Sequence, residues 1–100
     1  GIDPDDEFEA FEAWERHLNK VLQFPFDAEI AEPQERGPLR SGYKVRVHHI
    51  TSIEGLYGIM VKMTYQHRTY HFPLCDLEAI DKASENYGQL RQYVVWFANR

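Results

Sequence analysis

The chain has 100 residues, of which 43% are hydrophobic and 14% aromatic, so it is too apolar to stay disordered and too short for two independent cores. Its 16 acidic and 11 basic side chains give a formal net charge of −5, an average charge that repels phosphate backbones. We therefore expect one domain, residues 1–100, that binds no nucleic acid and, lacking an apolar run of about 20 residues, no membrane.

The first predicted element is a helix over residues 5–22. Its apolar residues recur at steps of three and four, which places them on one helix face: Phe8, Phe11, Trp14, Leu18, Val21 and Leu22. Acidic residues fill its first turns and Arg16, His17 and Lys20 its last, the order that complements the helix dipole. Pro25 ends the helical pattern.

Residues 26–80 are predicted to form the β-rich part of the chain. Alternation of apolar and polar residues indicates strands over residues 26–32, 43–50, 57–65 and 68–72. Residues 51–55 form a turn in this interpretation, and Gln66 and His67 form the tip of a tight hairpin. Residues 74–80 are either a short closing strand or a single helical turn.

The last predicted element is a helix over residues 86–97, capped by Ser84 or Asn86. Several short strands need closure to hide their edges, and two amphipathic helices need a sheet on which to bury their apolar faces. The sequence therefore predicts a mostly β, α+β fold, in which a small antiparallel barrel is flanked by an N-terminal and a C-terminal helix.

Catalysis has one strong candidate nucleophile, Cys75. Leu74 and Leu77 beside it favour a buried, inert thiol, and the chain contains no GxSxG, Walker or dinucleotide-binding motif. A single cysteine also forms no disulfide within the chain, and no secretory signal pattern is visible. We expect a cytoplasmic protein that is not an enzyme.

The five histidines do not suggest a transition-metal site. His48 and His49 are adjacent in a predicted strand and should point to opposite faces, while His67 and His71 are too far apart along a strand to share one ion. A site completed across space by His49 or His17 stays open.

Carboxylates, in contrast, are in excess, and hard cations such as Ca²⁺ bind six to eight oxygens. They cluster in the first helix, in residues 27–35 and at Asp76, Glu78 and Asp81, near a strand end where carbonyls are also free. The alternative for these charges is a solvated acidic face. Tyrosines of the central strands, Tyr43, Tyr57 and Tyr65 among them, either fill the core or form an aromatic surface that holds a protein segment.

Five segments, in the same order and with compatible spacing, resemble the bacterial calcium-binding protein family: FPFDAEI, RGPLRSG, LYGIMV, FPLCDLEAID and YVVWFANR. That family is best known from a cyanobacterial protein that buffers calcium and influences heterocyst differentiation. The resemblance covers about four fifths of the chain. It implies an SH3/Tudor-like barrel and calcium binding by acidic surface clusters.

This sequence departs from the family pattern at two places. Tyr43 stands where members of the family carry an Asp, and residues 51–54 retain one carboxylate, Glu54. The segment FPLCDLEAID does match, so the resemblance places a low-affinity Ca²⁺ site at Asp76, Glu78 and Asp81, with Glu54 as a fourth contributor. The alternatives are a Tudor-like protein-interaction module that has lost the metal site, and a family member with a purely structural role.

Overall fold

The computed structural model describes residues 4–33 and 37–100 and contains two helices and five strands. Helix α1 spans Pro4–Val21 and helix α2 spans Glu85–Asn99. The strands are β1 (Phe26–Ile30), β2 (Lys44–Glu54), β3 (Gly58–Tyr65), β4 (Arg68–Pro73) and β5 (Leu77–Ala79). A short 3-10 turn, Leu74–Asp76, joins β4 to β5. The predicted fold class, mostly β with a helix at each end, is confirmed.

All five strands belong to one antiparallel sheet with the order β4-β3-β2-β1-β5. Strands β2, β3 and β4 form the predicted meander, and Gln66 and His67 turn its second hairpin with φ angles of 50° and 66°. β1 lies between β2 and β5 and pairs with both, although these strands are distant from it in the sequence. The segment predicted as either a strand or a helical turn contains both, because the 3-10 turn runs directly into β5.

Strand β2 is longer than predicted and is interrupted by two bulges. The register shifts between Val47 and His49 and again between Ile50 and Ser52. Each shift adds one residue to β2, so the apolar residues still meet buried partners on β3. The prediction of a turn at residues 51–55 was wrong. The extra residues shift the alternation of apolar and polar side chains, so the sequence pattern does not show that the strand continues to Glu54. The turn occupies residues 55–57, where Tyr57 is 48% exposed.

The two helices pack against the face of the sheet that carries the buried residues. Phe11, Leu18 and Leu22 reach the core from α1 and its end, and Leu90 and Tyr93 reach it from α2. Ser84, one of the two predicted caps, accepts a hydrogen bond from the Tyr87 backbone N–H at 3.3 Å. No helix in the described ranges is long and apolar enough to cross a bilayer.

Gly58 is the point where both helices meet the sheet. Its φ is +67°, and a Cβ there would lie 2.6 Å from the Phe11 ring, 2.7 Å from the Tyr93 hydroxyl and 2.9 Å from the Phe97 ring. The Tyr93 hydroxyl accepts a hydrogen bond from the Ile59 backbone N–H at 3.1 Å. Only glycine combines this backbone conformation with so close an approach.

Candidate metal site

The four residues predicted to bind a metal lie in four different elements of the fold. Asp76 ends the 3-10 turn, and Glu78 is the middle residue of β5. Asp81 lies between β5 and α2, and Glu54 ends β2. In the described ranges, no three His, Cys, Asp or Glu side chains are grouped so that they could hold one ion. The predicted residues are therefore not brought together as a single preformed cage.

Glu78 does have an acidic neighbour that the sequence prediction missed. It is the register partner of Glu29 on β1, and the flanking pairs Ala28–Ala79 and Ile30–Leu77 are buried on the opposite face. Residues directly opposite in antiparallel strands place their Cβ atoms about 5 Å apart on one face. Glu29 and Glu78 therefore put two carboxylates side by side on the outer face of the sheet.

Asp76 continues the same ladder beyond the end of β1. Its backbone carbonyl accepts hydrogen bonds from the N–H groups of Ala31, at 2.8 Å, and Glu32, at 3.3 Å. Burial raises the pKa of the Asp76 carboxyl, and the neighbouring Glu32 adds to the rise, while a hydrogen bond from the Cys75 thiol opposes it. Asp76 and Glu32 thus form a second pair of carboxylates that repel each other. We call Glu29, Glu32, Asp76 and Glu78 the acidic edge.

Asp81 has a structural task of its own. Its carboxylate accepts a hydrogen bond from the Ala83 backbone N–H at 3.0 Å, and its carbonyl accepts one from the Ser84 hydroxyl at 2.7 Å. These bonds shape the turn that leads into α2. Asp81 is exposed, and its carboxylate already accepts a hydrogen bond within this turn.

Glu54 lies at the β2–β3 turn. The Ser52 hydroxyl donates to its carboxylate at 3.4 Å, and its register partner is Gly58. Glu54 shares no described hydrogen bond with Asp76, Glu78 or Asp81.

Donor chemistry is the test of whether these residues suit Ca²⁺. The acidic edge offers only oxygen donors, from carboxylates and neighbouring carbonyls, which is what a hard cation requires. Its carboxylates come in pairs rather than in larger groups, so water would have to complete the coordination. Glu35, which the sequence grouped with residues 27–35, lies outside the described residues. The donor atoms present are of the kind that Ca²⁺ prefers, but in the described ranges the acidic side chains do not form a group of three.

Cys75 and the histidines serve other roles. Burial, reinforced by the negative charge of Asp76, raises the pKa of the Cys75 thiol to about 12, so it remains protonated at neutral pH. His48 shares a hydrogen bond of 2.9 Å with the Thr64 hydroxyl, and His49 is the register partner of Lys62. Both histidines therefore face outward, and the prediction of opposite faces was wrong because the first bulge falls at His48.

Comparison with known proteins identifies the family. A family model described as calcium binding matches residues 2–97. The fold is similar to the crystal structure of Anabaena CcbP, at 22% identity and a TM-score of 0.73, with 98% of this chain and 79% of that chain covered. It is also similar to a calcium-binding protein in its calcium-binding form, at 21% identity and a TM-score of 0.74, with 99% and 80% covered. A search of curated proteins finds no relative. The family predicted from the sequence is confirmed, and the chain belongs to the CcbP calcium-binding family.

Proposed function

We propose that this protein binds Ca²⁺ reversibly as a low-affinity buffer or sensor and catalyses no reaction. The observation that carries the proposal is the match of the calcium-binding family over residues 2–97. The similarity of the fold to a protein in a calcium-binding form supports the same ligand. The cytoplasmic location stays a prediction from the sequence.

The acidic edge is the site that we propose for the ion. Glu29 and Glu78 are like charges directly opposite each other, an unfavourable arrangement in the absence of a cation, and Lys44 on β2 faces Glu29 from its other side. Asp76 and Glu32 add a second repelling pair at the end of the same ladder. A divalent cation bound between the carboxylates of either pair would reduce the repulsion within that pair, which would favour its binding.

The proposal retains Asp76 and Glu78 from the sequence prediction as ligands, together with Glu29 and Glu32. It gives Asp81 and Glu54 the weaker role of neighbouring charges, because Asp81 is bonded within its own turn. Few charged ligands and several waters are typical of sites with dissociation constants of about 10⁻⁴ to 10⁻³ M. We expect an affinity in that range.

Calorimetric titration of Ca²⁺ into the metal-free protein tests the proposal with two matched double variants. Asp76→Asn with Glu78→Gln removes two charges from the acidic edge, and Asp81→Asn with Glu54→Gln removes two charges elsewhere. We expect the dissociation constant to rise about tenfold in the first variant and less than about threefold in the second. Equal weakening would show diffuse attraction to the whole surface, and no heat at millimolar Ca²⁺ would refute calcium binding.

A second readout uses thermal unfolding of the single variant Glu78→Gln. Without metal, the variant should melt at a higher temperature than the wild type, because one of two opposed carboxylates is gone. With saturating Ca²⁺ the order should reverse, since the wild type binds the ion more tightly and gains more stability from it. If the order is the same with and without Ca²⁺, Glu78 is not a ligand.

The interaction-module alternative would use a different surface. Tyr43 and Tyr65 stack with ring centroids 4.8 Å apart and planes 7° apart. With Tyr70 and Arg68 they line an open recess of about 320 Å³ at one end of the sheet. We call Tyr43, Tyr65 and Tyr70 the tyrosine rim. None of its residues belongs to the acidic edge, so both functions are compatible in one chain.

A further inference from the structure

The tyrosine rim shares one face of the sheet with Arg68. All three rings of the rim pack against the core from its margin. Arg68 is the register partner of Tyr65, and residues directly opposite in antiparallel strands place their side chains on the same face. Tyr70 follows Arg68 by two residues on β4, so the alternation of the strand keeps it on that face too. The rings and the guanidinium therefore border one recess.

The walls of this recess are of two kinds. The tyrosine rim and Pro38 supply ring surface, in which Tyr43 and Tyr65 are already stacked on each other. Arg68 and Gln66 supply N–H donors. The recess has a volume of about 320 Å³. Since one water molecule takes about 30 Å³ of the liquid, there is room for a ligand of about ten non-hydrogen atoms.

The charge beside the recess is positive. Residues 37–75 contain a single acidic residue, Glu54. It is the last residue of β2, whereas Tyr43 immediately precedes the first, so the length of the strand separates the two. Within residues 4–33 and 37–100, Arg68 forms no ion pair, and it is exposed. Its guanidinium is therefore available to an anion.

The phenol hydroxyls of the rim add further donors. The pKa of Tyr65 is raised, first by loss of solvent and then by the neighbouring phenols of Tyr43 and Tyr70. A raised pKa keeps the hydroxyl protonated at neutral pH, so it can donate a hydrogen bond to an anion. The effect of both neighbours on Tyr65 also indicates that the three phenols lie close together.

Aromatic rings without Arg68 would favour a different ligand. The faces of tyrosine rings attract organic cations such as methylated ammonium groups. Arg68 opposes this preference, because its positive charge repels a second cation and no acidic residue is among the described residues that line the recess. A planar anion suits both walls, since guanidinium pairs bidentately with carboxylate or phosphate and a ring packs well against other rings.

We propose that the recess binds a small planar aromatic molecule that carries one carboxylate or phosphate group, with the oxyanion on Arg68 and the ring against the tyrosine rim. A compact anion such as inorganic phosphate would leave the rings without a contact, and a neutral ring would leave Arg68 without an ion pair. Because the recess is open and the ligand is small, we expect a dissociation constant of about 10⁻⁴ to 10⁻³ M.

The test is a titration of the full chain in EDTA, followed by the NMR shifts of its backbone amides. The probes are benzoate, phenyl phosphate, cyclohexanecarboxylate and benzyltrimethylammonium. We expect benzoate and phenyl phosphate to cause saturating shifts centred on residues 65–70. Cyclohexanecarboxylate, which has the charge without the aromatic ring, should bind about threefold more weakly or worse. Benzyltrimethylammonium, which has the ring with the opposite charge, should cause no saturating shift there.

Two arginine variants form a matched pair. Arg68→Gln removes the charge at the recess, and Arg46→Gln makes the same change at an exposed arginine on the opposite face, between the buried Val45 and Val47. We expect Arg68→Gln to weaken benzoate about tenfold and Arg46→Gln to change it less than about threefold. The amide spectra of both variants also show whether the fold is retained.

A third variant tests the aromatic wall. Tyr70→Leu should weaken benzoate more than cyclohexanecarboxylate, because only benzoate loses a contact between rings. Equal weakening of the two probes would mean that Tyr70 provides apolar area alone, and would contradict the aromatic part of the proposal.

Three results overturn the proposal as a whole. The first is tighter binding of benzyltrimethylammonium than of benzoate, which would assign the recess to a cation. The second is equal weakening of benzoate by both arginine variants. The third is the absence of saturating shifts at probe concentrations of about 10 mM, well above the expected dissociation constant. The calcium titration uses none of these residues or probes, so the failure of either proposal is visible without the other.

Discussion

The outer face of the sheet differs in charge between its two sides. On one side the acidic edge sets like charges against each other, as in the pair Glu29–Glu78. On the other side, β2, β3 and β4 carry His49, Lys62 and His71 in one cross-strand row and Arg46 in the next. Along the line where β1 meets β2, opposite charges are register partners: Asp27 with Arg46 and Glu29 with Lys44. The outer face of one sheet therefore changes from acidic to basic side chains across a line of paired charges.

The comparison shows why net charge is a poor guide to the local charge on the surface of a small domain. The strands that meet at this line are only about 4.8 Å apart, less than the distance over which salt screens exposed charges. The sign of the surface nevertheless changes within a few strands, because each cross-strand row collects residues that are distant in sequence. Register, rather than composition, decides where each sign of charge lies on the surface.

The largest expected effect comes from Gly58→Ala, which should damage both sides at once. The new Cβ would lie 2.6 to 2.9 Å from Phe11, Tyr93 and Phe97, at a φ of +67° that disfavours alanine. We expect the free energy of unfolding to fall by about 2 to 4 kcal/mol, measured by urea denaturation.

Gly55→Ala is the matched control, because nothing lies within 4 Å of a Cβ at that position. It should change stability by less than about 1 kcal/mol. A Gly58→Ala protein as stable as the wild type would show that the two helices can move away from the sheet at low cost.

A smaller effect, confined to the acidic edge, is expected from pH. The pKa of Asp76 is raised in the folded protein, first by burial and then by Glu32. A raised folded pKa means that the folded state holds this proton more tightly, so the contribution to stability is present at low pH and is lost as pH rises through the folded pKa.

The metal-free wild type should therefore lose stability relative to Asp76→Asn as the pH rises from the ordinary pKa of an aspartate through the raised pKa of Asp76 in the folded protein. Urea midpoints of both proteins in EDTA, at a series of pH values, measure this difference. The opposite slope would mean that Asp76 is stabilised as a carboxylate in the folded protein.

The smallest effect is expected at the line between the two sides. The Arg46–Asp27 ion pair is 3.2 Å long, with side chains that are 53% and 64% exposed. Solvent-exposed pairs contribute little, so Arg46→Ala should lower the free energy of unfolding by less than about 0.5 kcal/mol. A double-mutant cycle with Asp27→Ala isolates the pair, and a coupling above about 1 kcal/mol would mean that these charges help to hold β1 to β2.

Local patterns predicted the elements well wherever a single periodicity ran unbroken. The 3.6-residue period of the apolar residues predicted the bounds of both helices to within a few residues of those observed, Pro4–Val21 and Glu85–Asn99. The hairpin at Gln66 and His67 followed from alternation on both sides of a short polar tip. The end of β2 could not be predicted in this way, because the bulges shift the alternation twice within six residues.

The site was predicted only in part, for a related reason. Asp76 and Glu78 stood out in the sequence because they are close together in the chain. Glu29 could not be selected from among the other acidic residues, because its position opposite Glu78 depends on pairing between strands about 50 residues apart. The grouping of His49, Lys62 and His71 is also a product of register, which no single segment reveals.

The two bulges also give β2 a tolerance to shortening. His48 and Thr51 are the residues left over when β2 is aligned with β3. Deleting either one would leave every remaining side chain of the strand on its present face, whereas deleting Val47 or Ile50 would remove a contact of the core. Natural or engineered versions of this strand can therefore be one residue shorter and keep the same side chains on the core face and on the outer face. Such a strand would be straighter, because it would lack one bulge.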